Sequence, residues 1–534
     1  MSYETFTAIL NAAEFPFVSD FFQRPIIIPG LDQPPRLPKG YTGTFESANP
    51  ELAQHYYCQN ILPTSEGIQS VGYRQVIPAA PIPATDFDQV IVVRDADENN
   101  FLWAPARGKN YIYRADMPDW VSTNPFAGWP ADKTIVSRAY VNGRTFVQYE
   151  KYDMFEYDST LNQINPVTLT GINAADIDVI GASNNYLIAV VGITVHWSSL
   201  INNIDFVPSI QTGAGNAIPQ DMKGVARAVV PISGGFVIYT TKNAVVALYT
   251  NNARAPFVFR EISNAGGVPS PEQVSLEASL GYHYSWTTHG LQKISVTTAE
   301  VLSNAAMDFL AGRIWEEFDL TTLQLTIERL NVDLQVKISY ISGRYLVISY
   351  GKPTDTAPQT YTHALVYDLG LKRWGKLRVD HVDCFVYPYP NLPGEITNPP
   401  AKQSVGFLKT NGQIDLLVMD YRERQDQGVL LLGRYQLVRQ KMATYQSVEL
   451  EGEHQAYPSQ VYLIISADGK TNGVPNQLVE LSAGTDRRVV KYGAPAPGVG
   501  SYAAPRTGVN LSLLTIGTFE LSTAMFTITR HGNR

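Results

Sequence analysis

The side chains that bind metal ions lie scattered through this 534-residue chain. None of its eight histidines stands beside another histidine or a cysteine at the spacing of a metal site. His283 and His289 are six residues apart across a predicted hairpin, and ordinary strand and turn positions account for both. The stretch DADENN (95–100) begins like a calcium loop, but it lacks the glycine at position six and has Ala106 in place of the bidentate glutamate. A solvated acidic turn is the favoured interpretation, and we expect no metal site.

Carboxylates that could act as a general acid and base are equally hard to pair. Glu316, Glu317 and Asp319 cluster, but a solvated helix face explains them, and no two acids stand out as a glycan-cleaving pair. SADGKTN (466–472) resembles the aspartate box of sialidase-type propellers, yet its spacing differs and the closing aromatic is missing. The chain also has no phosphate-binding loop, no His-Glu-x-x-His and no Gly-x-Ser-x-Gly elbow. The sequence therefore predicts no catalytic, cofactor-binding or metal-binding residues and a protein that is not an enzyme.

The composition predicts a β-rich protein. The chain has 30 Tyr, 21 Phe, 40 Gly and 34 Pro, which favours strands joined by turns. The net charge of −8 excludes a general basic surface for nucleic acid. The two cysteines, Cys58 and Cys384, form no disulfide framework and indicate folding in a reducing compartment. The start MSYETFTAIL has no basic n-region, and the longest apolar run (186–195) is too short to span a membrane, so neither a signal peptide nor a membrane span is expected.

The stretch GGFVIYTTKNAVVALY (234–249) predicts a hairpin that extends into four strands over 225–232, 236–241, 244–249 and 257–262. Gly234 and Gly235 are expected to supply a turn with positive φ. Four antiparallel strands in about 38 residues match one propeller blade. Similar units open near residues 99, 142, 184, 234, 281, 342 and 411. The first four intervals (43, 42, 50 and 47 residues) have the length of propeller repeats, whereas the last two (61 and 69) need insertions.

These repeats predict a mainly β fold with three parts. Residues 86–434 are expected to form a β-propeller of six or seven blades, each an antiparallel meander, with insertions near 299–330 and 388–403. Residues 1–85 are rich in proline, which predicts an extended N-terminal arm that lies against its own subunit or a neighbour. Residues 435–534 carry strands at closer intervals and predict a C-terminal β-sandwich-like domain. The alternative is that they complete the propeller with a last blade.

One stretch, residues 195–274, carries a family resemblance. It contains Trp-Ser-Ser, then Asp-Phe-Val-Pro, then Asp-Met-Lys-Gly before a strand, the 234–249 hairpin, and FREISNAGGVPSPE. Two further pieces fit: YYCQNILPTSEGIQSVGY (56–73) and HALVYDLGLKRWGKL (363–377). Together these residues resemble the tail nozzle and tail-hub proteins of short-tailed bacteriophages, including those called packaged-DNA stabilisation proteins. Trp-Ser and Tyr-Asp…Trp patterns also occur in unrelated propellers of the kelch and WD-repeat types, where the Trp packs between blades.

The resemblance implies a structural virion protein. Such proteins assemble in a ring, usually of six copies, beneath the portal and its adaptor. The ring forms the distal tail channel, retains packaged DNA, passes it at ejection, and anchors fibres or spikes. The implied partners are other copies of the chain, the adaptor and portal-side proteins, the fibres or spikes, and double-stranded DNA as passing cargo. The implied location is the phage tail, after synthesis in the host cytoplasm. A net negative charge suits a conduit that must not grip a polyanion.

Two other functions remain open at this point. One is a glycan-binding or glycan-cleaving propeller at the tail tip, which predicts a pocket with converging carboxylates. The other is an interaction propeller from a cell, which predicts a monomer with one binding face.

Overall fold

The structure is a computed structural model of the whole chain. It describes residues 3–9, 26–27, 55–64, 67–75, 81–82, 87, 89–94, 100–106, 109–113, 119–122, 133–158, 163–252, 254–275, 281–302, 336–341, 344–351, 360–387, 404–418, 428–436, 443–454, 459–466, 475–481, 485–491, 507–508 and 510–530. The regular elements there are strands and two 3-10 turns, Ala174–Asp176 and Pro271–Gln273.

Six strands precede the propeller's first complete sheet in the sequence. They are β1 (Tyr3–Ile9), β2 (Ile26–Ile27), β3 (His55–Gln59), β4 (Ile61–Pro63), β5 (Ile68–Ser70) and β6 (Gly72–Gln75). All six pair with strands that come much later in the chain or with one another. Their partners connect the two ends of the polypeptide.

Four four-stranded antiparallel sheets then follow in sequence order, and we call them blades 1 to 4. Blade 1 is β7 (Ile91–Arg94), β8 (Asn100–Ala106), β9 (Lys109–Tyr113) and β10 (Val121–Ser122). Blade 2 is β11 (Ile135–Val141), β12 (Arg144–Tyr149), β13 (Met154–Asp158) and β14 (Gln163–Val167). Blade 3 is β15 (Val179–Ser183), β16 (Tyr186–Val191), β17 (Thr194–Trp197) and β18 (Gly215–Ala217). Blade 4 is β19 (Ala226–Ile232), β20 (Gly235–Thr240), β21 (Ala244–Tyr249) and β22 (Phe257–Glu261), which confirms the four predicted strands.

Three more sheets complete the ring as blades 5 to 7. Blade 5 has β23 (Tyr282–Thr287), β24 (Gly290–Ser295) and β25 (Ala299–Val301), and a bridge from Val274 to Ser285 marks the chain entering on the other side of β23. Blade 6 is β26 (Lys337–Ile341), β27 (Tyr345–Tyr350), β28 (Tyr361–Asp368) and β29 (Arg373–His381). Blade 7 takes β30 (Asp383–Tyr387), β31 (Ser404–Leu408) and β32 (Ile414–Val418) from one region, and β6 as its fourth strand. The protein is a seven-bladed β-propeller, at the upper end of the predicted range.

The first strands of the blades contact one another around a common axis. β11 contacts β15, β15 contacts β19, β26 contacts β30, and β30 contacts β7, which joins the last blade to the first. The ring is therefore closed twice in blade 7. Its first strand contacts blade 1, and its fourth strand comes from the N-terminal region.

Packing between blades explains why these strands read as continuous apolar runs. In β20, Phe236 and Ile238 pack with blade 3, whereas Val237 and Tyr239 face the cluster shared with blade 5. Successive side chains of a strand point to opposite faces, so both faces of β20 are buried. Each such apolar side chain contributes roughly 1.5–3 kcal/mol on burial. A strand that is buried on both faces therefore shows no alternation of apolar and polar residues in its sequence.

The C-terminal region forms two sheets that meet the propeller. Its strands are β33 (Gly428–Gln436), β34 (Ala443–His454), β35 (Ser459–Ser466), β36 (Pro475–Leu481), β37 (Thr485–Lys491), β38 (Thr507–Gly508), β39 (Asn510–Gly517) and β40 (Phe519–Arg530). One sheet runs β33-β39-β35-β36, with β2 and β3 on β33. The other holds β40, β34 and β37, with β1 on β40 and β38 on β34. Strands of the two sheets contact each other, β36 with β37 and β35 with β38.

The junction between propeller and C-terminal sheets runs through residues 61–70. β4 pairs with β29 of blade 6, β5 pairs with β4, and β40 pairs with β5, so one sheet continues from blade 6 into the C-terminal region. The hydroxyl of Ser70 accepts from the Phe519 amide at 2.9 Å and donates to the Phe519 carbonyl at 3.2 Å. Both residues are fully buried. This double hydrogen bond fixes the two regions together.

The structure places some boundaries differently from the predicted ones at 85/86 and 434/435. β6 lies within the predicted arm but belongs to blade 7. β33 begins at Gly428, before the predicted boundary, and pairs with β39 and β3. The opening near 411 is the turn between the second and third strands of blade 7, whereas those near 142 and 184 lie between first and second strands. The C-terminal residues do not complete the propeller in this structure, because β6 already occupies that edge.

The two predicted insertions fall largely outside the described residues. Of 299–330, only residues 299–302 are described, and 388–403 is outside altogether. Most of the predicted arm, including 10–25 and 28–54, is also outside.

Candidate functional site: a charged cluster where four blades meet

A buried charged cluster joins the approaches to blades 5, 6, 7 and 1. The Lys337 ammonium lies 2.8 Å from Oδ1 of Asp383 and 3.3 Å from Oε1 of Glu272. The Tyr361 hydroxyl donates to Oε2 of Glu272 at 2.8 Å. The second oxygen of Asp383, Oδ2, accepts from the backbone amide of Val90 at 2.8 Å. The Lys337 ammonium thus bridges two carboxylates, and Tyr361 donates to one of them.

The position of each residue in its strand brings the cluster together. Lys337 and Asp383 are the first residues of β26 and β30, and Val90 directly precedes β7. Glu272 lies in the 3-10 turn before blade 5. First strands of a propeller begin at the same end of the axis, so residues far apart in sequence converge there. At this end of the axis, residues from the approaches to four blades contribute to a single charged cluster.

Burial and charge set the protonation of this group. Burial alone lowers the pKa of the Lys337 ammonium, but the carboxylates of Asp383 and Glu272 outweigh it and raise the pKa above its ordinary value. Burial, followed by the charge of Glu272, raises the pKa of Tyr361 well above its ordinary value. Lys337 therefore stays a cation and Tyr361 stays a neutral donor at physiological pH.

The arrangement is suited to holding blades together. Both oxygens of Asp383 and both oxygens of Glu272 are occupied by partners within the protein. The side chains of Lys337 and Asp383 are only 12% and 5% exposed. A buried charge pair with satisfied partners costs desolvation energy, and removal of one partner leaves the other uncompensated. The cluster acts as a brace at the point of ring closure.

A second polar contact lies in blade 6. The Ser349 hydroxyl donates to Nε2 of His381, the two atoms being 2.7 Å apart, and the His381 Nδ1–H donates to the Val379 carbonyl at 2.8 Å. A serine, a histidine and an orienting acceptor are the parts of an acyl-transfer site. Here Ser349 and His381 are both fully buried, and burial lowers the pKa of His381 to about 3. The pair satisfies polar groups in the core, and no substrate can reach it in this structure.

Some of the residues that carry the family resemblance form one hydrogen-bonded network in blade 4. The Thr240 hydroxyl donates to the Lys223 carbonyl, and the Lys223 amide donates to Oδ1 of Asn243 at 3.2 Å. The Asn243 side-chain amide donates to Oε1 of Glu261 at 2.8 Å. The hydrogen bond from Asn243, then that from Lys223, lowers the pKa of Glu261. The Asp-Met-Lys-Gly segment, the Thr-Thr-Lys-Asn turn and the FRE strand end are therefore parts of one structure.

The segment that follows this network along the chain connects it to the charged cluster. A Cβ on Gly267 would collide with the backbone of Thr241, and one on Gly266 with the Thr287 side chain. Ser270 then caps the 3-10 turn that contains Glu272, and Gln273 completes the capping box. The two glycines of this segment allow close packing, and the Ser-Pro-Glu residues form the capped turn. Together they position Glu272 in the cluster.

The Thr-Thr turn recurs 47 residues later, as the sequence indicates. Thr240 accepts from the Lys242 amide at 3.1 Å, and Thr287 accepts from the His289 amide at 3.1 Å. The Thr287 hydroxyl donates to the Gly290 carbonyl at 3.0 Å. The repeat therefore preserves a turn with its hydrogen bonds.

The candidate residues from the sequence have ordinary structural surroundings where the structure describes them. His283 accepts from the Tyr239 hydroxyl at 2.9 Å through Nδ1, and its Nε2 donates to the Pro231 carbonyl at 2.7 Å. His289 lies in the exposed turn after β23. Residues 95–99, 467–472, Glu316, Glu317 and Asp319 lie outside the described residues. Within the described part of the chain, no group of three or more metal-binding side chains occurs.

Gly234 and Gly235 differ from each other in the structure. Gly234 has φ of +79° and open space around it, as predicted for the turn. Gly235 does not have positive φ, and the prediction was wrong there. It is required because a Cβ would collide with the Ala247 carbonyl of the neighbouring strand.

Sequence reasoning missed the charged cluster. Lys337, Asp383, Glu272 and Tyr361 belong to no motif, and up to 111 residues separate them. A usable signal is that Lys337 and Asp383 each directly precede a run of mainly apolar residues, which the structure shows to be the first strand of a blade.

The chain is similar to several solved β-propellers at low sequence identity. The WD40 propeller domain of Doa1 is 10% identical, with a TM-score of 0.39, over 67% of this chain and 100% of that one. The propeller domain of Cps50 (Swd1) from Myceliophteria thermophila is 10% identical, with a TM-score of 0.39, over 65% and 100%. YCF48 bound to D1 peptide is 11% identical, with a TM-score of 0.37, over 66% and 95%. No protein-family model and no curated protein matches the sequence.

Among the described residues, no helix has the length and apolar character needed to cross a membrane.

Proposed function

We propose that the protein is a ring-forming structural subunit of a short-tailed phage tail, a nozzle or hub that builds the distal channel. The observation that carries this proposal is the resemblance of residues 195–274, supported by 56–73 and 363–377. What strengthens it is that several resembling residues between 221 and 272 are joined by hydrogen bonds and close packing in blade 4 and toward blade 5. A resemblance spread over a connected structural unit is harder to produce by chance than isolated residues.

The stiffness of the propeller suits the wall of a channel. Blade 7 is closed both by β6 and by the contact of β30 with β7. The charged cluster braces that closure from inside, and Ser70 ties the propeller to the C-terminal sheets. A channel subunit must keep its shape while DNA is held under pressure, and closed, braced sheets resist such deformation.

Exposed apolar side chains in the β17–β18 loop of blade 3 and in the connection from blade 3 to blade 4 suit contact with a neighbouring subunit. Six apolar side chains within residues 200–225 are exposed: Leu200, Ile201, Val207, Ile210, Ile218 and Val225. Ile201 is 82% exposed. The loop that carries most of them is firmly held, since the Trp197 indole donates to the Gly213 carbonyl at 3.0 Å and the Asn203 amide donates to the Asn185 carbonyl at 2.9 Å. Apolar side chains on an ordered surface segment are typical of protein–protein contacts.

In this proposal the ring retains packaged DNA and releases it at ejection. Its partners are further copies of the chain, the adaptor and portal-side proteins, and fibres or spikes, and it is located in the virion. DNA is passing cargo, which agrees with a net charge of −8 that offers phosphates no general attraction. The role is structural and requires no catalysis.

The test is the oligomeric state of the purified full-length chain. Mass photometry over a concentration series is expected to give one discrete oligomer, and negative-stain imaging is expected to show a ring with a central hole. A population that stays monomeric at high concentration, or a sugar-binding monomer on a glycan array, would contradict the proposal.

A further inference from the structure

Strand β1 lies off the main strand order of its sheet. It pairs antiparallel with β40 over seven residues, from Tyr3 opposite Thr529 to Ile9 opposite Thr523. The other edge of β40 is occupied by β34. β5 pairs with β40 at residues 520 and 521, so β1 is an added strand beside β5 on the edge of β40 that faces away from β34. We infer that in the assembled ring β1 is exchanged, so that β1 of one subunit pairs with β40 of its neighbour. This inference rests on the proposed ring.

Backbone pairing makes such an exchange energetically neutral within the sheet. Strand addition at an edge uses main-chain hydrogen bonds, and a neighbouring copy offers an identical β40 in an identical register. An unpaired edge is open to pairing with another chain. Exchange of an identical element between protomers is a low-cost route to assembly. What decides between the two arrangements is therefore the connection to β1.

That connection is long. Residues 10–54 separate β1 from β3, and within them Ile26 and Ile27, which the structure describes, pair with β33. The 16 residues from 10 to 25 can span up to about 50 Å when extended. Seven prolines in 10–54 favour extended over compact chain: Pro16, Pro25, Pro29, Pro34, Pro35, Pro38 and Pro50. An extended connection of that length allows β1 to reach a β40 edge within about 50 Å of the start of β2.

Strand β6 provides the matched contrast within the same chain. It also completes a sheet made from later residues, pairing with β32. It follows β5 after one residue, and the Tyr73 hydroxyl donates to the Asn60 side chain at 3.3 Å. The Tyr73 ring also packs edge-on against Phe407, with centroids 5.9 Å apart. Short connections and local contacts hold β6 in its own subunit, so we expect exchange at β1 and none at β6.

A disulfide between two cysteines placed opposite each other on paired strands shows whether the two strands belong to one chain or to two. Thr5→Cys with Thr527→Cys, and Ala8→Cys with Ala524→Cys, replace residues that lie opposite each other on β1 and β40. The two pairs are three positions apart, so they fall on alternate kinds of site in the antiparallel ladder. One of the two is therefore a non-hydrogen-bonded pair, where side chains approach more closely. Gln75→Cys with Asp415→Cys, and Gly72→Cys with Val418→Cys, are the matched pairs for β6 and β32. The native Cys58 and Cys384 are buried, and burial raises the pKa of Cys58 to about 12, so neither competes.

The experiment oxidises assembled full-length protein and separates the chains on a non-reducing denaturing gel. The β1–β40 pairs are expected to give a ladder of covalent multimers, and the β6–β32 pairs only crosslinked monomers. Co-expression of the Thr5→Cys and Thr527→Cys single variants, one of them tagged, is expected to give covalent heterodimers. The Gln75→Cys and Asp415→Cys single variants are expected to give none.

The outcomes separate this inference from the proposed function, because mass photometry of the unoxidised sample reports assembly independently. Rings whose β1–β40 crosslinks stay within one chain overturn the exchange and leave the ring standing. Monomers overturn the ring and the exchange with it. Reciprocal covalent dimers without rings support the exchange and overturn the proposed function.

Discussion

Blade 4 and blade 7 have the same four-stranded form but are assembled in opposite ways. Blade 4 takes all its strands from residues 226–261, in order, with short turns. Blade 7 combines residues 383–418 with β6, from more than 300 residues earlier. Blade 4 is held by local turns and apolar packing, whereas blade 7 depends on a strand and a charged cluster contributed by distant sequence. The same fold element can be locally or globally determined in one chain.

The difference predicts where the molecule is vulnerable. Bringing distant segments together costs loop-closure entropy that local hairpins do not pay. Damage to the contacts of blade 7 should therefore affect the whole ring, whereas equivalent damage in blade 4 should remain local. Two lysine–carboxylate pairs, one at each place, allow a matched comparison.

The largest effect is expected from Lys337→Met. Removing this cation leaves the Asp383 carboxylate buried without its partner, which costs about 3–5 kcal/mol of unfolding free energy. Chemical denaturation with intrinsic fluorescence measures the change. The matched control is Lys223→Met, which removes the ion pair with Glu261 from a lysine whose side chain is 58% exposed. The control should cost less than about 1 kcal/mol. Equal losses in the two variants would contradict the proposed bracing role.

Acidification should weaken the boundary between blades 4 and 5. Burial lowers the pKa of His283 to about 4 from an ordinary value of 6.5. The unfolded state then binds a proton as the pH falls below 6.5, and the native state does not until about 4. Stability from His283 is full above pH 6.5 and declines between 6.5 and 4, by up to about 3 kcal/mol for a shift of this size.

The pH dependence of His283→Gln isolates this contribution. Unfolding free energies measured from pH 7 to pH 4.5 should show a flatter slope in that variant than in the wild type. His289→Gln, in an exposed turn, should keep the wild-type slope. Parallel curves for the wild type and His283→Gln would rule out His283 as the source.

How much of the fold can be predicted from the sequence depends on the same difference between local and distant contacts. The strands of blade 4 and the repeat at Thr287 could be predicted because turn residues and apolar runs lie close together. The fourth strand of blade 7 could not, because Gly72–Gln75 carries no mark of a partner at Ile414–Val418. The charged cluster escaped for the same reason, since Glu272, Lys337 and Asp383 meet only once the ring has closed. Local rules identify blades, and closure is a property of the whole chain.

The Gly234–Gly235 pair tests what a local turn requires. Gly235→Ala places a Cβ against the Ala247 carbonyl and should cost about 1–3 kcal/mol. Gly234→Val meets no neighbour but forces a β-branched residue to positive φ, at a cost of about 1–2 kcal/mol. Gly234→Asn should recover most of that loss, since Asn142, Asn184 and Asn185 adopt positive φ in the equivalent turns of blades 2 and 3. Thermal melts of the three variants give the ranking, and an unchanged melting temperature in Gly234→Val would refute the turn assignment.

The smallest effect on stability, and a clear effect on assembly, is expected from Ile201→Asp. The side chain is 82% exposed and belongs to the loop between β17 and β18 of blade 3, so the unfolding free energy should change by less than about 0.5 kcal/mol. If that surface contacts a neighbouring subunit, a buried, unpaired carboxylate there should weaken association strongly. Mass photometry at matched concentrations measures the shift toward monomer. Thr250→Asp, in an exposed polar turn of blade 4, is the charge-matched control and should assemble like the wild type. Undiminished assembly of Ile201→Asp would show that the subunit contact does not include this loop. The stability measurement ensures that a loss of assembly cannot be attributed to unfolding.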